Sequence, residues 1–540
     1  MKKLEVRKLS SLANIFENKI YGKALFEADT LRGQEFSFQI AFRGEKNDYT
    51  FQINSPFGND LNVGILGYVQ SELPSYKNCG ENYLREEAGM FQDPILPLSS
   101  NKITVEKRWQ TLFISVKIAE DFAPGKYPIS FYLYDNGKKI RSLKFFLTVH
   151  KSVLPKQELI LTEWFHTDCI ADVHGVSVYS EEHWNLIEKY IKTATSHAIN
   201  MILVPVLTPP LDTEVGGERT TVQLVDITLE NGKYTFDFSR LERFIDICKR
   251  SGVEYYEINH MFTQWGAKCA PKVMATVDGE YKKLFGWETS ATSDEYAEFL
   301  KVLVPNIIDV LLKKGLAKKQ IFFHVSDEPG RDNLEDYKKA ADILSPLIDG
   351  CNQIDALSNY EFYQKRIVKT PVVATDHIEP FLENNVPNLW CYYCCAQTRD
   401  VANRFFSMPS HRNRIIGVQM YKHNIVGFLH WGYNFYNLQF SKGKINPYEI
   451  TDAGKAFPSG DAFCVYPYND NVIPAFRLKI FKNAIEDIRL LKLAESKLGR
   501  NKTLSIIEEV AKMDITFKKY PKTNEFFDDL YKRVLFEIEK

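Results

Sequence analysis

The sequence has no excess of charge of either sign. Its 68 lysine and arginine residues are balanced by 69 aspartate and glutamate residues, which leaves a formal net charge of −1. Proteins that bind nucleic acids or anionic membrane surfaces carry a basic excess that neutralises phosphate groups. The composition therefore argues against such partners, and we predict no nucleic-acid binding.

Long apolar runs and a disulfide framework are also missing. No apolar run is long enough to span a bilayer, and residues 1–7 contain no core of the kind that signal peptides have. The nine cysteines are odd in number and scattered, which predicts free thiols. Cys394 and Cys395 are adjacent and lack metal-ligand spacing. We therefore predict no membrane insertion and a cytoplasmic location.

The first 152 residues alternate between apolar and polar side chains in the period of half-buried strands. The clearest runs are residues 36–42, 111–118, 127–134 and 142–149. Asn136 and Gly137 separate the last two runs and are a strong hairpin signal. We predict an ancillary β-sandwich domain over residues 1–152.

The pattern then changes to strands that alternate with amphipathic helices. We predict strands at residues 158–165, 200–206, 253–258, 321–325, 354–357, 371–374, 388–394 and 425–429. Eight such units in roughly 280 residues match the size of a (β/α)8 barrel. The alternative α/β fold, a doubly wound sheet, is disfavoured because no Gly-rich phosphate loop follows the first strand. We predict a catalytic TIM-like barrel at 153–437 and a mostly helical extension at 438–540.

One predicted barrel strand ends in two adjacent carboxylates. The apolar run at 321–325 leads into Asp327 and Glu328, which Pro329 follows. Proline cannot donate to a sheet ladder, so the strand ends before it and the carboxylates lie at its C-terminal tip. Barrel enzymes hold their catalytic groups at this end of the strands. The alternative is an acidic loop that caps the next helix.

Polar and aromatic side chains follow the other predicted strands. The predicted ligand-binding residues are Trp164, His166, His260, Gln264, Trp265, Asn359, Tyr392, Tyr393, Trp431, Tyr433 and Asn434. The set is poor in lysine and arginine, which a phosphate substrate would require. Aromatic rings and amides suit a neutral polyhydroxylated ligand, since sugar faces stack on rings and hydroxyls bond to amides. We therefore predict a carbohydrate substrate and no cofactor.

Three histidines near the predicted strand tips raise the question of a metal site. His166, His260 and His324 belong to three different strands. None of them has a partner at metal-ligand spacing. We predict no metal.

Five stretches of the chain resemble one enzyme family. They are HVSDEP at 324–329, EWFHTD at 163–168, FTQWG at 262–266, WCYYCC at 390–395 and GFLHWGYN at 427–434. In this order they are similar to glycoside hydrolase family 123, the N-acetyl-β-galactosaminidases, and to their uncharacterised relatives. The resemblance includes the strand-rich region before the barrel.

The resemblance implies a retaining, substrate-assisted mechanism in which the sugar's 2-acetamido oxygen attacks the anomeric carbon. It implies that Glu328 is the general acid and then the base, and that Asp327 holds the acetamido N–H. An ionised Asp327 makes ionisation of Glu328 more costly, as an acid catalyst requires. Adjacent strand residues point to opposite faces, so the two share a pocket only if the chain leaves strand geometry between them. Tyr392 or Tyr393 is expected to donate to the acetamido oxygen.

Three hypotheses follow for the function. The leading one is an exo-acting retaining β-N-acetylhexosaminidase, with N-acetylgalactosamine as the favoured sugar. The second is a glycosidase with two carboxylates, in which Glu328 is the acid and Glu163 or Asp376 the nucleophile or base. The third is a non-catalytic glycan-binding protein. The oligomeric state stays open.

Overall fold

The computed structural model describes residues 4–264 and 266–540. By their contacts, the residues form two compact units. The first unit consists of Met1–Glu158, Thr398–His423 and Ile473–Lys540, and the second of Leu159–Gln397 and Asn424–Val472. The C-terminal helices therefore group with the N-terminal strands. The domain boundaries at residues 152 and 437 remain predictions from the sequence.

The N-terminal part of the first unit is built from β-strands. They are β1 (Glu5–Ser10), β2 (Asn14–Ile15), β3 (Ile20–Tyr21), β4 (Glu27–Arg32), β5 (Glu35–Arg43), β6 (Asn47–Asn54), β7 (Leu61–Ser71), β8 (Gly89–Pro97), β9 (Lys102–Val105), β10 (Gln110–Lys117), β11 (Gly125–Asp135) and β12 (Lys138–Val153). One five-stranded sheet has the order β1-β5-β10-β7-β8, and another the order β4-β12-β11-β6-β9. Alternate residues of both sheets, such as Phe38 and Ile40 in β5 and Phe131 and Leu133 in β11, form one apolar core.

The predicted hairpin joins β11 and β12. Asp135 pairs with Lys138 across the turn. Asn136 and Gly137 have φ angles of 47° and 78°, so both central residues are left-handed, as a type I′ turn requires. Asparagine and glycine tolerate this conformation better than other residues do, and the local sequence therefore fixes the register of the pair.

The second unit contains a closed barrel of eight parallel strands. The strands of the barrel, of its connections and of the segment after it are β13 (Ile160–Glu163), β14 (Met201–Val204), β15 (Asp226–Glu230), β16 (Lys233–Asp237), β17 (Tyr255–Ile258), β18 (Val273–Val277), β19 (Glu280–Phe285), β20 (Ile321–Phe323), β21 (Asn352–Leu357), β22 (Thr370–Ala374), β23 (Trp390–Tyr392), β24 (Gly427–His430), β25 (Val465–Tyr468) and β26 (Asn471–Pro474). The barrel order is β13-β14-β17-β20-β21-β22-β23-β24, and β13 closes it against β24. Each barrel strand overlaps a predicted one, which confirms the (β/α)8 prediction.

Helices lie in the connections between the barrel strands and after the last of them. They are α1 (Thr167–His174), α2 (Glu181–Ser196), α3 (Ser239–Arg250), α4 (Asp294–Lys313), α5 (Leu334–Leu344), α6 (Tyr360–Gln364), α7 (Glu379–Glu383), α8 (Ser410–Lys422), α9 (Phe476–Leu498), α10 (Arg500–Ala511) and α11 (Glu525–Ile538). By their contacts, α8 to α11 belong to the first unit. Among the described helices, none combines the length and the apolar character that crossing a membrane requires.

Gly427 allows the close approach of β24 to the neighbouring strand β23. A Cβ atom at this position would lie 2.1 Å from the indole ring of Trp390. We expect Gly427→Ala to lower the free energy of unfolding by about 1–3 kcal/mol, because the ring or the strand must shift. The measurement is the thermal unfolding midpoint. Gly443→Ala is the control, since its nearest neighbour is a methyl group of Leu438 at 3.3 Å. Equal losses in both variants would contradict this account of the barrel.

Candidate active site

A pocket lies at the carboxyl ends of the barrel strands. Its lining residues are Trp164, Leu211, Asp212, Gln264, Asp327, Glu328, Ala356, Tyr392, Cys394, Cys395, Leu429, Trp431 and Phe457. Six of the predicted site residues with described positions are among them. Trp265, another predicted site residue, lies outside the described residues. The described lining contains no lysine or arginine.

Asp327 and Glu328 both face this pocket, although they are neighbours in the chain. The φ angle of Glu328 is 41°, in the left-handed region that non-glycine residues rarely adopt. The strand β20 already ends at Phe323, and the left-handed backbone at Glu328 takes the chain further from strand geometry. Two adjacent carboxylates need such a departure if they are to share one pocket. Backbone strain of this kind is held in place by the surrounding structure and concentrates at functional sites.

Tyr392, at the end of β23, is bonded to one of the two carboxylates. Its hydroxyl donates a hydrogen bond of 2.5 Å to Oε1 of Glu328. Burial and the charge of Glu328 raise the pKa of Tyr392 well above its usual value, so the phenol stays a donor. The neighbouring Tyr393 is fully buried, and its ring packs against those of Phe428 and His430. Alternation along the strand explains why only one of the two tyrosines reaches the pocket.

Asp355 in β21 holds the end of β20 in place. Its Oδ1 accepts hydrogen bonds from the backbone N–H groups of Val325, at 2.9 Å, and Ser326, at 3.2 Å. The hydroxyl of Tyr337 donates to its Oδ2 at 2.6 Å. Burial raises the pKa of Asp355 to about 6, even though these bonds oppose the shift. The bonds orient the backbone directly before Asp327.

Glu257 in β17 orients one aromatic wall of the pocket. Its Oε1 accepts a hydrogen bond of 2.8 Å from Nε1 of Trp164 and lies 2.5 Å from Nε2 of His324. Its Oε2 accepts a hydrogen bond from the hydroxyl of Thr162. The indole N–H of Trp164 is therefore engaged inside the protein, and the residue lines the pocket without a free donor.

Trp431 is held in a similar way on another side of the pocket. Its Nε1 donates a hydrogen bond of 2.8 Å to Oδ2 of Asp461. Its ring packs edge-on against Phe457 and Phe435, with centroid distances of 5.2 and 5.0 Å. Both tryptophans thus line the pocket with their indole N–H groups bonded to carboxylates of the protein.

Two predicted ligand-binding histidines lie in the interior instead. Nε2 of His166 is hydrogen-bonded to the carbonyl of Trp431 at 2.9 Å, and its Nδ1 lies 3.1 Å from Nη2 of Arg219. The ring of His260 stacks on that of His324, with centroids 4.3 Å apart. Both imidazoles are buried, and burial lowers the pKa of each. Among the described residues, no cluster of histidine, cysteine and carboxylate side chains could hold a metal ion.

Three further predicted residues make hydrogen bonds within the protein and do not line the pocket. The side-chain amide of Asn434 bonds to both the N–H and the carbonyl of His166. The Tyr433 hydroxyl donates to the carbonyl of Tyr190 at 2.9 Å. Asn359 caps α6. These three residues, both histidines and Tyr393 are not among the described lining residues of the pocket, so their predicted contact with the ligand stays a prediction. Tip residues divide between the pocket and the layer beneath it, and a sequence does not give their backbone angles.

The carboxylates considered as an alternative nucleophile do not reach the pocket. Glu163 is fully buried, and its Oε2 lies 3.0 Å from the thiol of Cys464. Asp376 is bonded to His377 and to the amide of Gln397. Neither belongs to the described pocket lining.

The third carboxylate of the pocket is Asp212, which the sequence analysis did not predict as a site residue. Burial raises its pKa to about 6, although the backbone N–H of Phe440 bonds to it. Its charge is also one of the causes that raise the pKa of Asp327. Its place shortly after β14, behind Pro209 and Pro210, was the one signal in the sequence. The sequence analysis also did not predict the apolar and thiol side chains of the pocket lining, because their types do not indicate ligand binding. They are Leu211, Ala356, Leu429, Phe457, Cys394 and Cys395.

The buried carboxyl of Asp327 leads us to a prediction about how stability depends on pH. Burial, and next the charge of Glu328, raise the pKa of Asp327 well above its usual value. The unfolded chain ionises an aspartate near pH 4, whereas the folded protein keeps this one protonated to higher pH. Stability therefore falls as the pH rises through this range, because the folded state binds more protons.

We expect Asp327→Asn to raise the thermal unfolding midpoint at pH 7. The gain should disappear below about pH 4, where aspartate is protonated in both states. Unfolding followed by circular dichroism over a pH series measures the difference between the two proteins. A variant that is less stable than the natural protein at every pH would refute the prediction.

The chain matches the model of one glycosidase family and the fold of a solved glycosidase. The model of the glycoside hydrolase 123 catalytic domain matches residues 164–494. The solved structure of a family 123 glycoside hydrolase from Clostridium perfringens superposes with a TM-score of 0.74 at 16% identity, over 99% of this chain and 98% of that one.

Other comparisons add less. A GH5 xyloglucanase from Bacteroides ovatus gives a TM-score of 0.29 at 8% identity, over 89% of this chain and 100% of that one. The comparison with curated proteins finds no match. The catalytic-domain model nevertheless covers more than half of the sequence, and it begins at Trp164 in the pocket wall. The chain belongs to glycoside hydrolase family 123.

Proposed function

We propose that this glycoside hydrolase is an exo-acting, retaining β-N-acetylhexosaminidase that acts on terminal N-acetylgalactosamine. Its carbohydrate substrate follows from the family. One observation carries the finer proposal: Asp327 and Glu328 line the same pocket, while Glu163 and Asp376 do not. A mechanism that uses the substrate's own acetamido oxygen as nucleophile needs only that pair. The C. perfringens relative is described in terms of glycolipid glycan hydrolysis, which supports a glycoconjugate substrate.

In the first step, Glu328 donates a proton to the glycosidic oxygen while the bond from that oxygen to the anomeric carbon breaks. The acetamido carbonyl oxygen forms the new bond to the same carbon, and an oxazolinium ion results. Asp327 accepts a hydrogen bond from the acetamido N–H and stabilises the developing positive charge. In the second step, Glu328 takes a proton from water, and the water oxygen forms a bond to the anomeric carbon. The bond from that carbon to the acetamido oxygen breaks, and its electron pair restores the acetamido group.

The electrostatics of the pair support these roles. The raised pKa of Asp327 means that this carboxyl keeps its proton to a higher pH than an isolated aspartate does. An acetamido N–H placed at Asp327 favours the ionised form of that group. In the proposed mechanism, Glu328 carries the proton that the first step needs. Tyr392 is the proposed donor to the acetamido oxygen, because its hydroxyl already lies at Glu328.

Asp212 supports a second candidate function. It lies in the same pocket as Glu328, and a glycosidase with two enzyme carboxylates would use Glu328 as acid and Asp212 as nucleophile or base. Such an enzyme would not need an acetamido group on its substrate. The two candidates therefore differ in a directly measurable property.

Activity should depend on the 2-acetamido group. We expect the protein to hydrolyse nitrophenyl N-acetyl-β-galactosaminide, and kcat/KM for the corresponding galactoside to be lower by more than about 200-fold, the upper range for losing a simple pocket contact. Fluorination of the acetamido methyl should slow hydrolysis progressively, because it withdraws electrons from the attacking oxygen. A panel of nitrophenyl glycosides that differ at C2 and C4 makes the measurement. A galactoside cleaved as fast, or a glycosyl ester trapped on Asp212, would exclude the substrate-assisted mechanism.

The role of Glu328 can be tested with leaving groups. We expect Glu328→Gln to reduce kcat on glycosides with poor leaving groups by on the order of 10³-fold, and to affect dinitrophenyl glycosides far less, since a good leaving group needs no protonation. Rates along a series of aryl glycosides give the comparison. Glu383→Gln, at an exposed glutamate at the end of α7, is the control and should match the natural protein. A uniform loss along the series would rule out acid catalysis by Glu328.

A further inference from the structure

Asp212 lies in the pocket wall but has no part in the substrate-assisted steps above. We propose that Asp212 determines sugar specificity, by accepting a hydrogen bond from one particular hydroxyl of the terminal sugar through its Oδ1. The inference rests on the proposed glycosidase function of the same pocket. It deepens that function, because it assigns recognition of one sugar hydroxyl to a carboxylate on the loop between β14 and β15.

The backbone of Asp212 is clamped in an unfavourable conformation. Its φ angle is 41°, in the left-handed region. Its N–H donates to the side-chain oxygen of Gln264, and its carbonyl accepts a hydrogen bond of 2.7 Å from the hydroxyl of Ser441. Its Oδ2 accepts a hydrogen bond of 2.9 Å from the N–H of Phe440. A strained residue that three partners hold with its carboxylate at a pocket is typical of a functional position.

A buried ion pair fixes the preceding residue. Arg219 and Asp168 form a bidentate pair, with distances of 2.8 and 2.7 Å, and both side chains are 3% exposed. Nη1 of Arg219 donates to the carbonyl of Leu211 at 3.0 Å. The bidentate geometry lets the guanidinium hold the loop in one orientation. The position of Asp212 is therefore set before any ligand arrives.

One oxygen of Asp212 is left for a ligand. Within the described part of the chain, its Oδ1 accepts no hydrogen bond, whereas Oδ2 is bonded to Phe440. The other polar groups of the wall are engaged: the indole N–H groups of Trp164 and Trp431 bond to carboxylates, and the amide of Gln264 bonds to the loop.

The remaining carboxylates of the pocket already have tasks. In the proposed mechanism, Glu328 serves the glycosidic oxygen and Asp327 the acetamido group. A hydroxyl-bearing sugar ring needs acceptors for its O–H groups, and an ionised carboxylate is the strongest acceptor that a side chain supplies. Of the three pocket carboxylates, Asp212 is the one that this ring can use for recognition alone.

The test compares Asp212→Asn with the natural protein on one parent glycoside and on its 3-deoxy, 4-deoxy and 6-deoxy analogues. The parent is whichever nitrophenyl glycoside the natural protein hydrolyses fastest. Asparagine keeps the volume of the side chain and the acceptor for the Phe440 N–H, so its amide group replaces Oδ1 with a donor. Asp172→Asn is the control: Asp172 is half-buried, pairs with Thr220 and Lys444, and lies outside the pocket lining.

In the natural protein, we expect removal of one particular hydroxyl to reduce kcat/KM by on the order of 10²-fold or more, because a buried acceptor loses its donor. In Asp212→Asn, kcat/KM for the parent glycoside should fall by a similar factor, mainly through a higher KM. Removal of that same hydroxyl from the substrate should then reduce kcat/KM of this variant little further. The other two analogues should lose the same factor in both proteins. The Asp172→Asn control should behave as the natural protein does.

Two outcomes would overturn the proposal. One is that every deoxy analogue falls by the same factor in both proteins. The other is that Asp212→Asn lowers kcat alike on all substrates with KM unchanged, which would make Asp212 part of the chemistry. Calorimetric binding of the free parent sugar and its deoxy forms to Glu328→Gln protein gives the same comparison without turnover. If the acetamido mechanism is wrong, the glycoside that the natural protein hydrolyses fastest will lack an acetamido group. The two failures are therefore distinguishable.

Discussion

The pocket depends on how the end of β20 is held. Asp355 accepts hydrogen bonds from two successive backbone N–H groups there, and Tyr337 holds the other oxygen of the same carboxylate. This anchor is buried, so water does not compete with its bonds. It lets the chain turn into the left-handed conformation at Glu328, which brings Asp327 and Glu328 to the same side. Without that turn, an extended backbone would point the two neighbouring carboxylates to opposite sides.

The remaining pocket wall combines aromatic rings with carboxylate oxygens that can accept hydrogen bonds. Trp164 and Trp431 donate their N–H groups to Glu257 and Asp461, away from the pocket. Burying carboxyls in one pocket costs free energy, and this cost is reflected in the raised pKa values of Asp327 and Asp212. Such crowding opposes stability and is retained where the charges serve chemistry or recognition.

Family and fold rest on different findings. The catalytic-domain model shows the family, and the superposition on the C. perfringens enzyme, at 16% identity, shows the shared fold. The choice of sugar and the use of the acetamido group are proposals that the geometry of Asp327, Glu328 and Tyr392 supports. Asp212 adds a separate proposal, because its clamped backbone and its open Oδ1 have no role in the acetamido mechanism.

The sequence by itself determined the elements of the barrel, the hairpin at Asn136 and Gly137, and the acidic tip. These follow from apolar periodicity and from the conformations that glycine, asparagine and proline favour, which are local properties. Only the tertiary structure decided that Tyr392 and not Tyr393 meets Glu328, and that His166 and Asn434 hold loops. It also brought in Asp212, whose position depends on Gln264, Phe440 and Ser441, at least 50 positions away in the sequence. Side-chain direction past the end of a strand is set by such distant contacts, and no local pattern encodes them.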